Sequence, residues 1–324
     1  MKFKCLLIFL IFTFIYCNKI TEPTDESGWY LQYDNQDNII YGGINFANEN
    51  IGWIVGYDGT IKKTDNGGNS WILLQSGVTS DLWDISFINE QVGWVCGSNN
   101  TIMKTNNGGE SWTALLSVGT SDRIFVTLKF FDENTGWMSS NHGEILRSVD
   151  GGSSWEIVKN DNFGGAQLAV LDANTAYCLS GQLYYTSDGG KHWESDSIPK
   201  PKNYAISNFY FTDQNRGFVT LSNGSGGAII TEFPILSTID GGNNWELSDY
   251  LKDSGFSCIY FVDQNNGWIG GIENIYKTRD SGNSWTLDFS PEDDFLYSKD
   301  ICFINKNVGW LINYNGQIYK YENE

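Results

Sequence analysis

The sequence predicts an all-β fold of repeated four-stranded units, and three observations support the prediction. Residues that favour strands and tight turns are abundant, with 36 Gly, 13 Trp, 17 Tyr and 19 Phe among 324 residues. No segment repeats apolar residues at the spacing of an amphipathic helix. Two motifs recur about every 41 residues along the chain. Because one such unit cannot bury both of its faces, the period predicts units arranged radially as a seven-bladed β-propeller.

The first repeated motif is an aromatic residue that follows glycine. Gly-Trp or Gly-Phe occurs at six repeat positions, and Ala176-Tyr177 fills the remaining one. Successive aromatic residues are 41, 43, 40, 41, 50 and 42 positions apart. The near-constant period predicts one equivalent strand in each blade. The seven aromatic residues are Trp53, Trp94, Trp137, Tyr177, Phe218, Trp268 and Trp310.

The second motif has the pattern [Ser/Thr]-x-[Asp/Asn]-x-Gly-x-[Ser/Thr]-Trp, and residues 64–71 are its first copy. An Asp or Asn side chain bonds to nearby backbone, Gly adopts a positive φ, and Trp anchors the following strand. The pattern resembles the Asp box, or bacterial neuraminidase repeat. We interpret its carboxylates as structural and not catalytic. The six copies place their polar residue and Trp at Asn66, Trp71, Asn107, Trp112, Asp150, Trp155, Asp188, Trp193, Asp240, Trp245, Asp280 and Trp285.

Turns rich in Asn and Gly divide each unit into four short strands. In the second unit these strands are predicted at 83–88, 93–96, 101–105 and 111–116.

The two ends of the chain complete one blade. The seventh unit stops at 318–322, where its box should begin, and 27–31 resembles the end of a box and the strand after it. A box Trp precedes the next repeat aromatic by 22 to 25 residues, and Trp29 precedes Trp53 by 24. We therefore predict that the propeller covers 27–324 and that the N-terminal strand closes its last blade.

The first 17 residues form a targeting segment. Lys2 and Lys4 precede an apolar run of 12 residues, which is too short for a bilayer span of about 20 residues. Cys17 follows this run as in a bacterial lipoprotein signal, although Tyr16 stands where that signal prefers a small residue. We expect an exported protein of the bacterial cell envelope, with Cys17 lipidated and 18–26 as a short tether. The alternative is a periplasmic or secreted protein.

The formal net charge of −19 disfavours nucleic acid as a partner, because phosphate binding needs Lys and Arg. The acidity serves solubility, or it attracts a basic partner. Cys96, Cys178, Cys258 and Cys302 fall in different repeats and are expected to be buried, without a disulfide or metal site. No cofactor is expected, and the chain is expected to be monomeric.

Candidate binding residues lie on the face that holds the inter-blade connections and the loops between second and third strands. Matched positions near the start of the innermost strands are polar at Asp84, Gln167, Asn208 and Asp300, which predicts a cation or sugar site at the channel mouth or, alternatively, side chains bonded to water. An insertion at 224–235, which includes Phe233, is either a partner-binding arm or a tolerated loop. The connections 199–202 and 291–294 are expected to be solvated.

Sialidases also carry Asp boxes, but their substrate-binding Arg triad is not evident here. The sequence has four Arg in three units, has no Phe-Arg-Ile-Pro motif, and predicts seven blades where sialidase-like enzymes have six. His142 and His192 are the only histidines, and they belong to different repeats. Identity alone does not assign catalysis to Tyr184, Tyr185 or Glu194. We therefore assign no catalytic residue and no enzymatic activity.

The repeat as a whole resembles the photosystem II stability and assembly factor family. Ile51-Gly52-Trp53-Ile54-Val55-Gly56-Tyr57-Asp58-Gly59-Thr60-Ile61-Lys62-Lys63-Thr64 carries the resemblance, as does 92–105. It implies a non-catalytic, often exported seven-bladed propeller that binds or assembles other molecules, here an envelope protein or glycan. The alternative is a carbohydrate-active, sialidase-like enzyme or a lectin that uses the channel mouth.

Overall fold

The structure is a computed structural model that describes residues 28–34, 38–115, 122–160, 167–180, 182–223, 231–291 and 295–323. The predicted signal peptide with Cys17, the tether at 18–26, residues 224–230 and residues 292–294 lie outside the described residues. Among the described residues no helix has the length and apolar character that a membrane crossing needs.

The described residues form seven antiparallel sheets of four strands each, which confirms the predicted seven-bladed propeller. Blade 1 comprises β2–β5, blade 2 β6–β9, blade 3 β10–β13, blade 4 β14–β17, blade 5 β18–β21, blade 6 β22–β25, and blade 7 β26–β28 with β1. The innermost strands contact one another around the whole ring, including the contact between blades 7 and 1. The strands are β1 Trp29–Tyr33, β2 Tyr41–Phe46, β3 Gly52–Gly56, β4 Ile61–Thr64, β5 Ile72–Leu74, β6 Leu82–Phe87, β7 Gly93–Gly97, β8 Ile102–Thr105, β9 Thr113–Ala114, β10 Phe125–Phe130, β11 Gly136–Ser140, β12 Glu144–Ser148, β13 Glu156–Asn160, β14 Gln167–Val170, β15 Ala176–Ser180, β16 Gln182–Thr186, β17 Glu194–Asp196, β18 Tyr204–Phe211, β19 Gly217–Asn223, β20 Glu232–Thr238, β21 Glu246–Lys252, β22 Phe256–Phe261, β23 Gly267–Gly271, β24 Ile275–Thr278, β25 Thr286–Phe289, β26 Ser298–Asn305, β27 Val308–Asn313 and β28 Ile318–Glu322.

The predicted ring closure is confirmed, because β1 pairs with β28 as the outer strand of blade 7. Trp29 lies opposite Tyr321, and Tyr30 lies opposite Lys320. In blade 1, Ile72 follows the box residue Trp71 and lies opposite Lys63, just as Tyr30 follows Trp29 and lies opposite Lys320. Trp29 therefore takes the place of the seventh box Trp.

The box forms a turn that uses its own polar side chains. In blade 1 the Thr64 hydroxyl accepts the Gly68 N–H at 2.9 Å, and the Asn66 side-chain oxygen accepts the Ser70 N–H at 2.9 Å. The backbone φ angles of Gly67 and Gly68 are 68° and 90°, which only glycine adopts without strain. Equivalent bonds recur in the other five boxes.

Aromatic rings hold each blade to the next. Trp53 of blade 1 stacks on Phe87 of blade 2 at 3.6 Å between ring centroids, and the box residue Trp112 packs edge-on against Phe87 at 6.1 Å. Phe87 covers Gly93, where an added Cβ would lie 2.6 Å from its ring. The repeated Gly therefore makes room for the ring that joins two blades. The equivalent stacked pairs at other junctions are Trp94–Phe130, Tyr177–Phe211, Phe218–Phe261, Trp268–Phe303 and Trp310–Phe46.

The junction between blades 3 and 4 differs from the others. The inner strand of blade 4 carries Val170 where the other blades carry Phe, and Ala176 stands in the Gly position. Val170 and Ala176 compensate each other in size, because the smaller side chain at 170 leaves space for a Cβ at 176.

Candidate functional site

The predicted loop face carries a bulge near the start of most innermost strands. The pairing register shifts there in blades 1, 2, 3, 5, 6 and 7. The bulge residue is extra relative to the partner strand, which changes the direction of neighbouring side chains at the channel mouth. The bulge residues are Gly42, Trp83, Val126, Ser207, Ser257 and Lys299.

Asp84 and Asp300, two of the predicted site residues, each bond to the next blade. One carboxylate oxygen of Asp84 accepts the Leu128 N–H at 2.7 Å, and one of Asp300 accepts the Ile44 N–H at 3.0 Å. The second oxygen of each accepts the N–H of its own neighbour in sequence. Both carboxylates therefore join inner strands, although both residues keep partial exposure.

Gln167 and Asn208 also bond to the inner strand of the next blade, through their side-chain amide groups. Gln167 donates to the Ser207 carbonyl at 2.8 Å, and Asn208 donates to the Ser257 carbonyl at 2.7 Å. In blade 6 the bulge residue Ser257 donates to the Ser298 carbonyl at 2.5 Å. The matched polar positions that the sequence indicated thus form links between blades.

Asp300 also influences Asp84 across blade 1, which separates their blades. Removal from water, and then the charge of Asp300, raise the pKa of Asp84 to about 7. Removal from water raises the pKa of Asp300 as well. At neutral pH this pair carries less than its full negative charge.

Phe233, which the sequence placed on the binding face, lies in the core. It is fully buried in β20, with its ring edge-on to Tyr204 at 6.2 Å and to Phe256 at 6.1 Å. Strand alternation directs it toward blade 6, so we remove it from the candidate binding residues. Of the connection at 199–202, Pro199, Lys200 and Pro201 line a shallow groove with Trp245 and Tyr250.

Aromatic side chains and one lysine converge on the loop face, and sequence reasoning missed them. The Lys299 ammonium lies 5.4 Å from the ring centroid of Trp83 and 4.9 Å from that of Tyr314. Tyr57 packs edge-on against Trp83 at 5.5 Å. We call Tyr57, Trp83, Phe295, Tyr297, Lys299 and Tyr314 the mouth cluster.

The outer part of the mouth cluster is open to solvent. Phe295 is 48% exposed, Tyr297 39% and Tyr314 49%, and the rings of Phe295 and Tyr297 lie 5.5 Å apart. The Tyr314 backbone N–H donates to the Tyr297 carbonyl at 2.9 Å, which places these two residues next to each other. Exposed aromatic side chains that lie close together are typical of surfaces that bind a partner.

Two glycines of blade 1 lie between the blades that contribute Trp83 and Lys299. Trp83 belongs to blade 2 and Lys299 to blade 7, and blade 1 between them has Gly42 and Gly43 at the matched positions. A Cβ on Gly42 would lie 2.8 Å from the Trp83 Cα, and one on Gly43 would lie 3.2 Å from the Asp84 Oδ1. The Gly-Gly pair therefore lets the inner strands of blades 1 and 2 approach each other closely at this surface.

The arginines are engaged at separate places. Arg123 pairs with Glu144 at 2.7 Å, Arg147 donates to the Ala173 carbonyl at 3.0 Å, and Arg216 donates to the Ser281 carbonyl. His192 bonds to Asp188 at 2.6 Å inside its own box. In the described part of the chain, no group of three or more His, Cys, Asp or Glu is arranged to hold a metal ion.

Part of the sequence matches a known family. A family model described as photosynthesis system II assembly factor YCF48 matches residues 69–176. No curated protein matches the sequence.

Solved structures share the fold over most of the chain. A structure of YCF48 bound to a D1 peptide has a TM-score of 0.75 at 19% identity and covers 93% of this chain and 98% of its own. YCF48 from Cyanidioschyzon merolae has a TM-score of 0.72 at 16% identity, with 91% and 98% covered. A GH74 xyloglucanase from Xanthomonas campestris has a TM-score of 0.67 at 11% identity, with 91% and 53% covered. The family match and the two YCF48 folds confirm the resemblance to photosystem II assembly factor-like propellers.

Proposed function

We propose that this protein is a non-catalytic propeller that binds a segment of a partner protein on its mouth cluster. The observation that carries the proposal is the exposed aromatic surface around Lys299, which connects blades 7 and 2 across the glycines of blade 1. The YCF48 structure with a bound D1 peptide supports the proposal, because a propeller of the same fold binds a peptide.

The chemistry of the mouth cluster suits an extended peptide with apolar side chains and one carboxylate. Phe295, Tyr297 and Tyr314 offer large, rigid apolar surfaces, which are common binding anchors. Lys299 provides a cation on a chain with a net charge of −19, so a carboxylate of the partner has a defined place to pair.

Several contacts favour binding over catalysis. The carboxylates of Asp84 and Asp300 accept backbone N–H groups, and Arg123, Arg147 and Arg216 are engaged at three separate places. Aromatic surfaces also bind sugars, so a glycan is the competing ligand, and the GH74 enzymes share the fold.

The proposal is tested by capture of partners from a cell-envelope extract. Trp83→Ala with Tyr314→Ala is expected to remove the specifically captured proteins, because it removes both rings that flank Lys299. Tyr250→Ala is the matched control, since Tyr250 is 51% exposed on the outer strand of blade 5. Retention of the same proteins by the double variant rejects the mouth cluster, and capture of glycans alone favours the lectin alternative.

We also propose export and attachment to a membrane through a lipid on Cys17. The apolar run that ends before Cys17 supports this part of the proposal. Cys17→Ser is expected to move the protein from the membrane fraction to the soluble fraction and to abolish labelling by a palmitate analogue. An unchanged membrane fraction in the variant contradicts lipid attachment at this residue.

A further inference from the structure

A cation is a repeated part of the junctions between blades. In blades 1, 2 and 3 the residue before the box Ser or Thr is Lys or Arg, and Lys320 takes the equivalent place in blade 7, which has no box; each charged group lies over the repeat Trp of its own blade. The charge lies 5.5 Å from the ring centroid for Lys63 over Trp53 and 4.7 Å for Lys104 over Trp94. For Arg147 over Trp137 and Lys320 over Trp310 the distances are 5.5 and 5.6 Å.

The same cation reaches the box turn of the next blade. A Cβ on Gly108 would lie 2.9 Å from the Lys63 Nζ, and one on Gly151 would lie 3.0 Å from the Lys104 Nζ. Lys or Arg thus occupies one defined position, between the third strand of one blade and the box of the next.

Two further junctions obtain a cation in other ways. Lys277 forms an ion pair with Asp288 in blade 6. Between blades 5 and 6, where Ser237 stands in the Lys position, Arg216 donates instead to the Ser281 carbonyl of the next box.

The junction between blades 4 and 5 differs because Tyr185 takes the Lys position and Tyr177 takes the Trp position. The Tyr177 hydroxyl donates to the Gln214 carbonyl at 2.8 Å and would lie 3.3 Å from a Cβ on Gly241, so a neutral group lies near the usual place of the cation. A cleft of about 270 Å³ opens here, and its described lining residues include no Lys or Arg.

The side chains of this cleft suit a positive group. In the outer two strands of blade 4, Glu194 lies opposite Tyr185 and Asp196 lies opposite Leu183. Because side chains alternate along a strand, all four of these side chains point toward blade 5. Asp240 of the box also lines the cleft, but its carboxylate already accepts the Thr238 hydroxyl and the Asn244 amide. Glu194 is exposed and Asp196 partly exposed, which leaves their carboxylates accessible beside the Tyr185 ring.

We propose that this cleft binds the ammonium or guanidinium group of a Lys or Arg side chain on a partner peptide. The incoming cation supplies the positive charge that the chain's own Lys or Arg supplies at the sister junctions, forms ion pairs with Glu194 and Asp196, and lies against the Tyr185 ring. The cleft is on the box face and the mouth cluster is on the opposite face, so this site is independent of the proposed function.

The test measures the affinity of the intact protein for two short probes, acetyl-Gly-Arg-Gly-amide and its neutral citrulline counterpart, by NMR titration at 0.15 M salt. The Arg peptide is expected to bind and the citrulline peptide is not. Glu194→Gln with Asp196→Asn is expected to lower the affinity for the Arg peptide at least tenfold. Tyr185→Lys, which restores the cation of the sister junctions, is expected to abolish its binding.

The matched control is Glu156→Gln with Glu246→Gln, which removes the same charge at the equivalent outer-strand positions of blades 3 and 5. This control is expected to change the affinity less than twofold. Equal weakening by both double variants attributes binding to overall acidity and overturns the proposal, as does equal binding of the two probes. Partner capture at the mouth cluster is expected to be unchanged by the Glu194 and Asp196 substitutions, so each site can fail alone.

Discussion

The replacement of Trp29 by Ala is expected to destabilise the ring at its closure. The Trp29 side chain is 2% exposed, and its ring lies 5.8 Å from that of Phe303 and 5.2 Å from that of Tyr321. Its indole N–H donates to the Asp288 carboxylate at 2.9 Å. Loss of a buried Trp ring costs about 3–5 kcal/mol of unfolding free energy.

Two further substitutions separate the contribution of the Trp29 ring from that of its hydrogen bond and from the effect of ring closure. Trp29→Phe keeps an aromatic ring but removes the donor to Asp288, so we expect a loss of about 1–3 kcal/mol. Trp71→Ala removes the equivalent ring from blade 1, whose four strands are continuous in sequence, and is expected to cost less than Trp29→Ala.

The assay is thermal unfolding at a fixed scan rate, together with limited proteolysis. At about 2 °C per kcal/mol for a chain of this size, Trp29→Ala is expected to lower the Tm by ~6–10 °C. Deletion of residues 27–33 is expected to lower it further and to expose the edge of β28 to aggregation. A Tm within 2 °C of the wild type for Trp29→Ala, or a loss no larger than that of Trp71→Ala, refutes the role of Trp29 in closure.

Other predictions concern the junctions, the boxes and the channel mouth. Val170→Phe alone is expected to cost about 1–3 kcal/mol of unfolding free energy, because the Ala176 Cβ occupies the space of the ring. The double variant with Ala176→Gly is expected to regain most of this loss in thermal unfolding. If the effects of the two substitutions are strictly additive, Val170 and Ala176 do not compensate each other at this junction. Asn66→Ala is expected to cost about 1 kcal/mol by loss of its turn bonds while partner capture persists, and loss of capture would refute a purely structural box. Burial raises the folded-state pKa of Asp84 to about 7, whereas an unfolded Asp has a pKa of about 4. Between about pH 4 and 7 Asp84 therefore keeps its proton in the folded protein and loses it in the unfolded chain. The free energy of unfolding consequently falls as pH rises, by up to about 1.4 kcal/mol per pH unit for this group. Asp84→Asn is expected to flatten that slope in Tm measurements across this range, and an equal slope in both proteins contradicts the assignment.

The strands of the blades were predictable because their signals are local. In the second unit the predicted strands at 83–88 and 93–96 correspond to β6 and β7 within one residue at each end. The fourth strand, predicted at 111–116, is limited to Thr113–Ala114. Alternating side chains and turn residues define where a strand runs, whereas hydrogen bonds to the neighbouring strand decide where its pairing ends.

The candidate site was predictable only in part, because it depends on what lies across the ring. Asp84 and Asp300 were recognised as unusual polar residues, but their backbone partners Leu128 and Ile44 belong to other blades. Phe233 was assigned to the binding face because it belongs to the insertion at 224–235, and its burial arises from packing between blades 5 and 6.

The sequence by itself determined the number of blades, the box turns and the closure by Trp29, because each follows from a spacing or a short motif within one repeat. The tertiary structure alone decided that Trp83, Lys299 and Tyr314 meet across Gly42 and that a cleft opens where Tyr185 replaces the repeated cation. The physical reason is that a ring brings residues from distant repeats together near its axis and at its junctions. Within one repeat these residues look like ordinary variation, and only their neighbours in space distinguish them.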